Sequence, residues 1–424
     1  MKPMLVDRRG LLQGGLGALL GLVGAPAFAD VLVSDHEALA GGDGVMAAQM
    51  RLGEYLIRHL AANKGTGASE RAKANPNVVV SPASLAAILS LIDLGGSPAM
   101  HQGIHRALGY KRTARRKAEK ELLTMRSSVS AMIAQSRKDG PLALANLVAF
   151  DRSTRPKQLA MFGLSGAGAD VLVDNLANPR IVDRINGWVN EKTNKLIPTI
   201  LDEAPETLGL VAVNALYFKD RWQVPFEPQR TQAEQFQTIS GKPADVQMMH
   251  SKVAKFSFRQ DERFIATDLG YANENFRLVV ITTKAAPAQP QDFAGVAGWL
   301  GGQGFQAQMG EIGLPKLTLS AGAELLPPLD ALGLAPARYA ANAFEGFSDQ
   351  ALVIARVVQK VELRVNEEGT EGAAATAVMT TRGLGPSDHI RMIVDKPFVF
   401  ALRDDKTGLI LFMGYVGAPP AARS

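Results

Sequence analysis

The chain has 424 residues, 46% hydrophobic and 21% charged, with a formal net charge of +5. That is an ordinary globular composition, long enough for one large or two average domains, and its mild charge does not by itself argue for nucleic acid or an anionic membrane as a partner. It has no cysteine, which excludes disulfides, thiol nucleophiles and Cys-ligated metals, and a core of this size can stabilise an exported protein without them.

The N-terminus reads as a targeting segment. Asp7-Arg8-Arg9-Gly10-Leu11-Leu12 gives a twin arginine ahead of a weakly apolar, glycine-diluted stretch, and Ala27-Phe28-Ala29 gives a small-x-small cleavage site. Cleavage after Ala29 leaves a mature start at Asp30, lowers the net charge to about +3 by removing Lys2, Arg8, Arg9 and Asp7, and implies a periplasmic or secreted protein. The apolar run is shorter than the ~20 residues a spanning helix needs.

Residues 30–48 form a small, polar leader. Met46, Met50, Leu52, Leu56, Ile57 and Leu60 recur at helical spacing and predict a helix over 45–62. Val78-Val79-Val80 predicts a short buried strand. Ser81 then caps a helix that has Pro82 in its first turn and ends at Gly95-Gly96. Residues 111–139 read as helical and charged. A strand at 143–151, a polar segment and a helix around Val182–Lys195 follow. From Leu208 the pattern turns to strands: 210–213, 215–218, 246–249, 254–258, 276–283, 310–319, 353–365, 393–402 and 409–416. Helices first and strands after predict an α+β fold with large antiparallel sheets. There is no repeat and no linker that splits the mature chain, so residues 30–424 read as a single domain.

Catalytic motifs are missing. Gly163-Leu164-Ser165-Gly166 lacks the second glycine of a nucleophile elbow, and no phosphate-binding glycine loop follows a strand. His101 and His105 could share a helix face, but no third metal ligand accompanies them, and two surface histidines is the better reading. Lys111, Arg112, Arg115, Arg116 and Lys117 form a basic cluster that suits a polyanion or, more plainly, a solvated helix face. No cofactor is implied.

The informative segment is 366–386. Alternate residues Thr370, Gly372, Ala374, Thr376, Val378 and Thr380 carry no charge and are all small or β-branched. A period of two with one such face fits a strand that can slide into a sheet. No proline interrupts it before Pro386, and Gly369 offers a pivot at its start.

Several motifs in order resemble the serpin family. These are Asn366-Glu367-Glu368-Gly369-Thr370-Glu371 with the following alanines, Asn77–Leu85, Val213–Lys219 with Trp222 and Pro225-Phe226, Asp395–Phe400, and Leu411–Gly414. The resemblance covers nearly the whole mature chain. It implies three β-sheets, eight or nine helices and an exposed reactive loop held under strain. It also implies a monomeric, metastable, non-enzymatic inhibitor. A serine-type protease cleaves the loop, is held as an acyl-enzyme, and is trapped when the loop enters the central sheet.

By position, Glu367, Glu368, Gly369, Thr370, Glu371, Gly372, Ala373, Ala374, Ala375 and Thr376 would form the hinge. Ser81, Ser84, Asn214, Trp222 and Gln359 would lie where the sheet opens. Gly372 replaces the family's usual alanine, and Gln359 stands where many animal members have a histidine, so no pH gating is expected there. Counting seventeen residues from Glu367 places the cut at Gly383-Leu384. One residue fewer gives Arg382-Gly383, which is favoured because Arg382 suits a trypsin-like pocket. Cleavage near Thr381 or Met379 by an elastase- or subtilisin-like enzyme is the rival. A non-inhibitory serpin acting as a binding or scaffold protein is the alternative function.

Overall fold

A computed structural model describes residues 5–6, 43–62, 77–108, 124, 127–129, 131–132, 140–207, 209–370 and 389–419. Apart from Leu5–Val6, the leader to Ala29 lies outside the described residues, as do the basic cluster at 111–117 and the segment from Glu371 to Pro386.

The longer described helices are α1 (Asp43–Ala62), α2 (Pro82–Asp93), α3 (Pro98–Ala107), α4 (Gln158–Gly166) and α5 (Arg180–Lys192). The strands in chain order are β1 (Leu5–Val6), β2 (Val78–Val80), β3 (Leu142–Asp151), β4 (Asp170–Asp174), β5 (Leu210–Phe218), β6 (Asp220–Arg221), β7 (Gln232–Gln237), β8 (Pro243–His250) and β9 (Ala254–Gln260). They continue with β10 (Phe264–Gly270), β11 (Phe276–Thr283), β12 (Gln306–Pro315), β13 (Leu317–Glu324), β14 (Ile354–Val365), β15 (Gly369–Thr370), β16 (Ile390–Ile393), β17 (Phe398–Asp404) and β18 (Leu409–Val416).

These strands make two hydrogen-bonded sheets. Sheet A has the order β1-β4-β3-β5-β14-β15-β6, with β13 on the far side of β14. Sheet B runs β2-β18-β17-β11-β10-β9-β12-β8-β7, with β16 on β12. The third sheet expected from sequence is the β7-β8-β12-β16 end of sheet B. β12 joins it to the rest, because Gly313–Pro315 pair with β8 while Gln306–Gly310 pair with β9.

α2 is an almost wholly apolar helix and is buried along nearly its whole length, as expected of a helix between two layers. Ser81 caps it as expected, its hydroxyl accepting from the Ser84 N–H at 3.1 Å. Sheet A alternates strictly. On β5, Leu210, Ala212, Leu216 and Phe218 face the main core, while Val211, Val213 and Ala215 face a second cluster under α5.

Several expectations needed correction. The stretches read as strands at 310–319 and 393–402 are each broken, at Lys316 and at 394–397. The segments read as strands at 210–213 and 215–218 are one strand, since nothing at Asn214 interrupts the ladder. The polar segment after β3 holds α4 and β4. Leu159 of α4 is 83% exposed, so that helix shows no one-sided apolar stripe. β7 and β10 also went unread. Of the two histidines on α3, His101 bonds Asp93 at 2.5 Å and His105 is half-buried; among the described residues no metal-binding cluster occurs.

Candidate functional site: the mouth and centre of sheet A

The central feature of sheet A is a parallel pair. β14 runs alongside β5 from Ile354/Leu210 to Glu362/Tyr217. Parallel ladders have slanted bonds and are slightly less stable per residue than antiparallel ones. β14 follows a long crossover from β5, so the two sit side by side with no strand between them.

Past Glu362 the two strands part, and the hinge occupies the gap. β14 ends at Val365, the chain turns through Asn366–Glu368, and Gly369-Thr370 return as β15. Thr370 pairs with Val365 on one side and Asp220 on the other. Asn366 builds the turn: its side-chain oxygen accepts from the N–H groups of Glu368 (3.0 Å) and Gly369 (3.2 Å), an Asx-turn. Gly369 is needed for close approach. A Cβ there would stand 2.1 Å from the Asp220 carbonyl oxygen and 2.6 Å from the Arg221 Cα, and backbone atoms cannot yield.

The segment after β5 holds the hinge by its carbonyls. The Trp222 N–H donates to Glu368 O and the Phe226 N–H to Glu367 O, both at 2.8 Å, and the Trp222 indole donates to Asn366 O at 2.9 Å. Trp222 stacks on Tyr271 with centroids 4.5 Å apart. The Tyr271 hydroxyl meets the Thr370 hydroxyl at 2.7 Å. Both residues are fully buried, and burial pushes the phenol's pKa far up, so Tyr271 stays neutral and the pair is a neutral hydrogen bond.

Glu367 latches the hinge from the other side. Its carboxylate accepts from the Thr231 hydroxyl at 2.7 Å and pairs with Lys316 at 3.0 Å. Burial alone would raise its pKa. The bonds from Thr231 and Lys316 outweigh that and hold it below the ordinary value of 4.5. A depressed carboxyl stabilises the fold above the unfolded pKa and loses that contribution as pH falls through the folded value. Glu367→Gln is therefore expected to cost about 1–2 kcal/mol at pH 7. The difference from wild type should shrink as the pH falls below the ordinary carboxyl value of 4.5 and vanish only once it is below the depressed folded value. Denaturant unfolding of both proteins across pH measures it.

One row crosses the middle of the sheet: Asn146 of β3, Asn214 of β5 and Gln359 of β14 stand level. All three are buried. The Asn214 amide donates to Asn146 Oδ1 at 2.7 Å. Gln359 grips the Ser81 backbone with both ends of its amide, accepting from its N–H at 2.9 Å and donating to its C=O at 3.0 Å. Beside this row Ser84 Oγ, Asn146 Nδ2 and Asn214 Oδ1 are buried without a hydrogen-bond partner, each at a cost of about 1–3 kcal/mol. Gln359→Met should orphan the Ser81 N–H, whose carbonyl keeps its bond from the Leu85 N–H at 3.0 Å, and lower stability by about 1–3 kcal/mol, read from urea unfolding midpoints.

The structure thus gathers the expected opening residues into two places. Trp222 and hinge residues Glu367–Thr370 meet at the mouth, and Ser81, Ser84, Asn214 and Gln359 meet at the centre. Hinge residues Glu371–Thr376 and the cleavage residues Arg382, Gly383 and Leu384 are outside the described residues. Sequence reasoning missed Tyr271, Thr231, Lys316 and Asn146. Of these only Asn146 gave a signal, as a lone polar residue within the apolar run of β3.

With this geometry in hand, comparison with known proteins decides the family. Residues 61–419 match the family described as Serpin (serine protease inhibitor). The chain belongs to the serpin family. The chain is 30% identical to Serine protease inhibitor 42Dd of Drosophila melanogaster over 356 residues, 81% of this chain and 92% of that one. It is 27% identical to bovine (Bos taurus) plasminogen activator inhibitor 1, covering 82% and 88% of the two chains. Among solved structures, the thermophilic serpin tengpin in its native state aligns with a TM-score of 0.73 at 20% identity, covering 91% and 95%. Human thyroxine-binding globulin aligns with a TM-score of 0.75 at 22% identity, covering 90% and 99%. In this serpin no described helix is long and apolar enough to cross a membrane.

Proposed function

We propose that this serpin is an exported suicide-substrate inhibitor of a serine-type protease. The protease serine attacks the carbonyl of the scissile residue, forming an ester and releasing the amine of the next residue. The freed segment then runs down between β5 and β14 and carries the protease with it before water can cleave the ester. The observation that carries this reading is the hinge: Thr370 is already a ladder partner of Val365 at the point where the parallel pair parts.

Register supports it. Continuing the Val365–Thr370 pairing antiparallel along β14 would set Gly372 opposite Leu363, Ala374 opposite Val361, Thr376 opposite Gln359 and Val378 opposite Val357. Residues directly opposite share a face, and these β14 residues point to the main core side. Thr376 would thus arrive level with Gln359 and Asn214, bringing a hydroxyl to the row where Asn214 Oδ1 and Asn146 Nδ2 lack partners. The alternate residues Ala373, Ala375 and Ala377 would face α5, where small side chains leave the helix room to sit. An entering strand is antiparallel to both neighbours, so one parallel ladder gives way to two antiparallel ones.

The preferred cut is Arg382-Gly383, for a trypsin-like target. The basic cluster at 111–117 would be a polyanion contact, and cleavage after Ala29 would deliver a monomer to the periplasm or medium. The test mixes the mature chain with trypsin-, elastase- and subtilisin-like enzymes on denaturing gels. A covalent complex is expected with at least one of them. N-terminal sequencing of the released fragment then separates Gly383, Leu384 and the sites near Thr381 and Met379. If every one of these enzymes turns the loop over without a stable complex, inhibition by trapping is wrong.

A further inference from the structure

On one side sheet A runs out at β4, and what β4 leaves free is its backbone. Both faces of the strand are covered: Val171 belongs to the main core and Leu172 to the cluster under α5. Its inner edge is taken by β3, from Leu147/Asp170 to Asp151/Asp174. The outer edge presents a row of N–H and C=O groups, a template for another strand. A strand of this same chain sits there. β1 pairs antiparallel with β4, Leu5 opposite Leu172 and Val6 opposite Val171. The register explains why the pairing is so short. One step further on, Asp7 would stand opposite Asp170, and like charges directly opposite repel. In the other direction Pro3 would come opposite Asp174, and proline has no N–H to give to a ladder.

We propose that the outer edge of β4 is a docking site for the chain's own leader, and that in the uncleaved precursor it holds the twin-arginine signal on the folded body. The proposal rests on reading residues 1–29 as a leader and does not need the trapping reading. Main-chain pairing at a sheet edge binds an extended segment without a side-chain pocket, which suits a strand whose two faces are already covered. So short a segment could not hold as a free peptide. Tethered, it binds at the effective concentration its own linker sets. Arg9 lies three residues beyond Val6, so it stays within about 10 Å of the docked strand. The docked leader caps an edge that would otherwise recruit strands from other copies while the chain is still inside the cell. It also obliges the export machinery to peel the leader from β4. Cleavage after Ala29 then removes the cap along with the signal.

Amide hydrogen exchange on three forms tests this: the 424-residue precursor purified uncleaved, the same precursor carrying Leu5→Pro/Val6→Pro, and the chain that starts at Asp30. The double proline removes both N–H donors of β1. It keeps Arg8, Arg9 and the apolar stretch and, lying in the leader, leaves the core untouched. β4 amides are expected to exchange about tenfold faster in the proline precursor and in the chain from Asp30 than in the parent precursor. β5 amides serve as the folding control and should exchange alike in all three. In cells the proline precursor should be exported and cleaved several-fold faster. Parent and proline precursors that exchange alike at β4 would overturn the docking site. A proline precursor processed at the parent's rate would overturn the holding of the signal. Failure of the leader reading looks different: the protein recovered outside the cell then still begins at Met1, or none is exported, while the exchange difference at β4 persists between the two precursors.

Discussion

Thr370→Arg is expected to abolish covalent complex formation and leave a chain that the same protease cuts as a plain substrate. Thr370 is fully buried between Val365 and Asp220, with its hydroxyl on Tyr271. An arginine there must either carry an unpaired charge into the sheet, at a cost of several kcal/mol, or leave the gap empty. Either way the first step of insertion is blocked while cleavage of the loop is untouched. At about 1.4 kcal/mol per factor of ten, a penalty of about 4 kcal/mol slows insertion roughly a thousandfold against hydrolysis. Thr370→Val is the control. It keeps the shape and loses the bond to Tyr271, so its penalty should be about 1–2 kcal/mol and much of the trapping should remain. Gel densitometry of complex against cleaved product at equimolar mixing reads both. An arginine variant that trapped as well as wild type would mean that Thr370 does not lead the strand into the sheet.

How much of this was legible beforehand differs from residue to residue. The hinge expectation rests on a local requirement, a period of two with one small, uncharged face visible in a single stretch of chain, of which only Gly369 and Thr370 lie among the described residues. Gly369 was read as a pivot, and the structure gives a different reason for a glycine there. Freedom of rotation is secondary there; the Asp220 carbonyl leaves no room for a Cβ, and nothing near Gly369 in sequence announces Asp220. Ser81 could be read as a helix cap, since capping spans three residues. Its grip by Gln359 could not, because the partners are 278 residues apart. Tyr271, Thr231 and Lys316 failed for the same reason: each is ordinary in its own strand or loop and acquires a role only when the hinge is set against it. The bonds that fasten α5 to β4, from Arg184 to Asp174 and from Trp188 and Lys192 to Asp170, were hidden more deeply still. Asp170 and Asp174 bracket Val171-Leu172-Val173, so β4 read as part of a polar segment. The acidic residues that disguised the strand are the ones that hold the helix.

The sharpest division between a trap and a binding protein built on the same fold is what nicking does to stability. Intact, the middle of sheet A is a parallel pair with three orphaned buried polar atoms beside it. Those atoms and the weaker parallel ladder are stored cost. A strand entering between β5 and β14 replaces that ladder with two antiparallel ones and offers Thr376 at the level of Asn214. Trapping requires the inserted form to be favoured by at least several kcal/mol, since the strand must displace α5 and draw a bound protease after it. For a chain of this size, with an unfolding entropy of about 2.1 cal/mol/K per residue, 1 kcal/mol moves the thermal midpoint by about 1 °C, so nicking the loop with any protease should raise the midpoint by at least about 5 °C. Gln359→Met should enlarge that rise if Met destabilises the intact sheet more than the filled one. Calorimetry of intact and nicked protein, with the fragments left associated, measures both. A midpoint that does not move would leave the loop outside the sheet and favour the scaffold reading of this serpin.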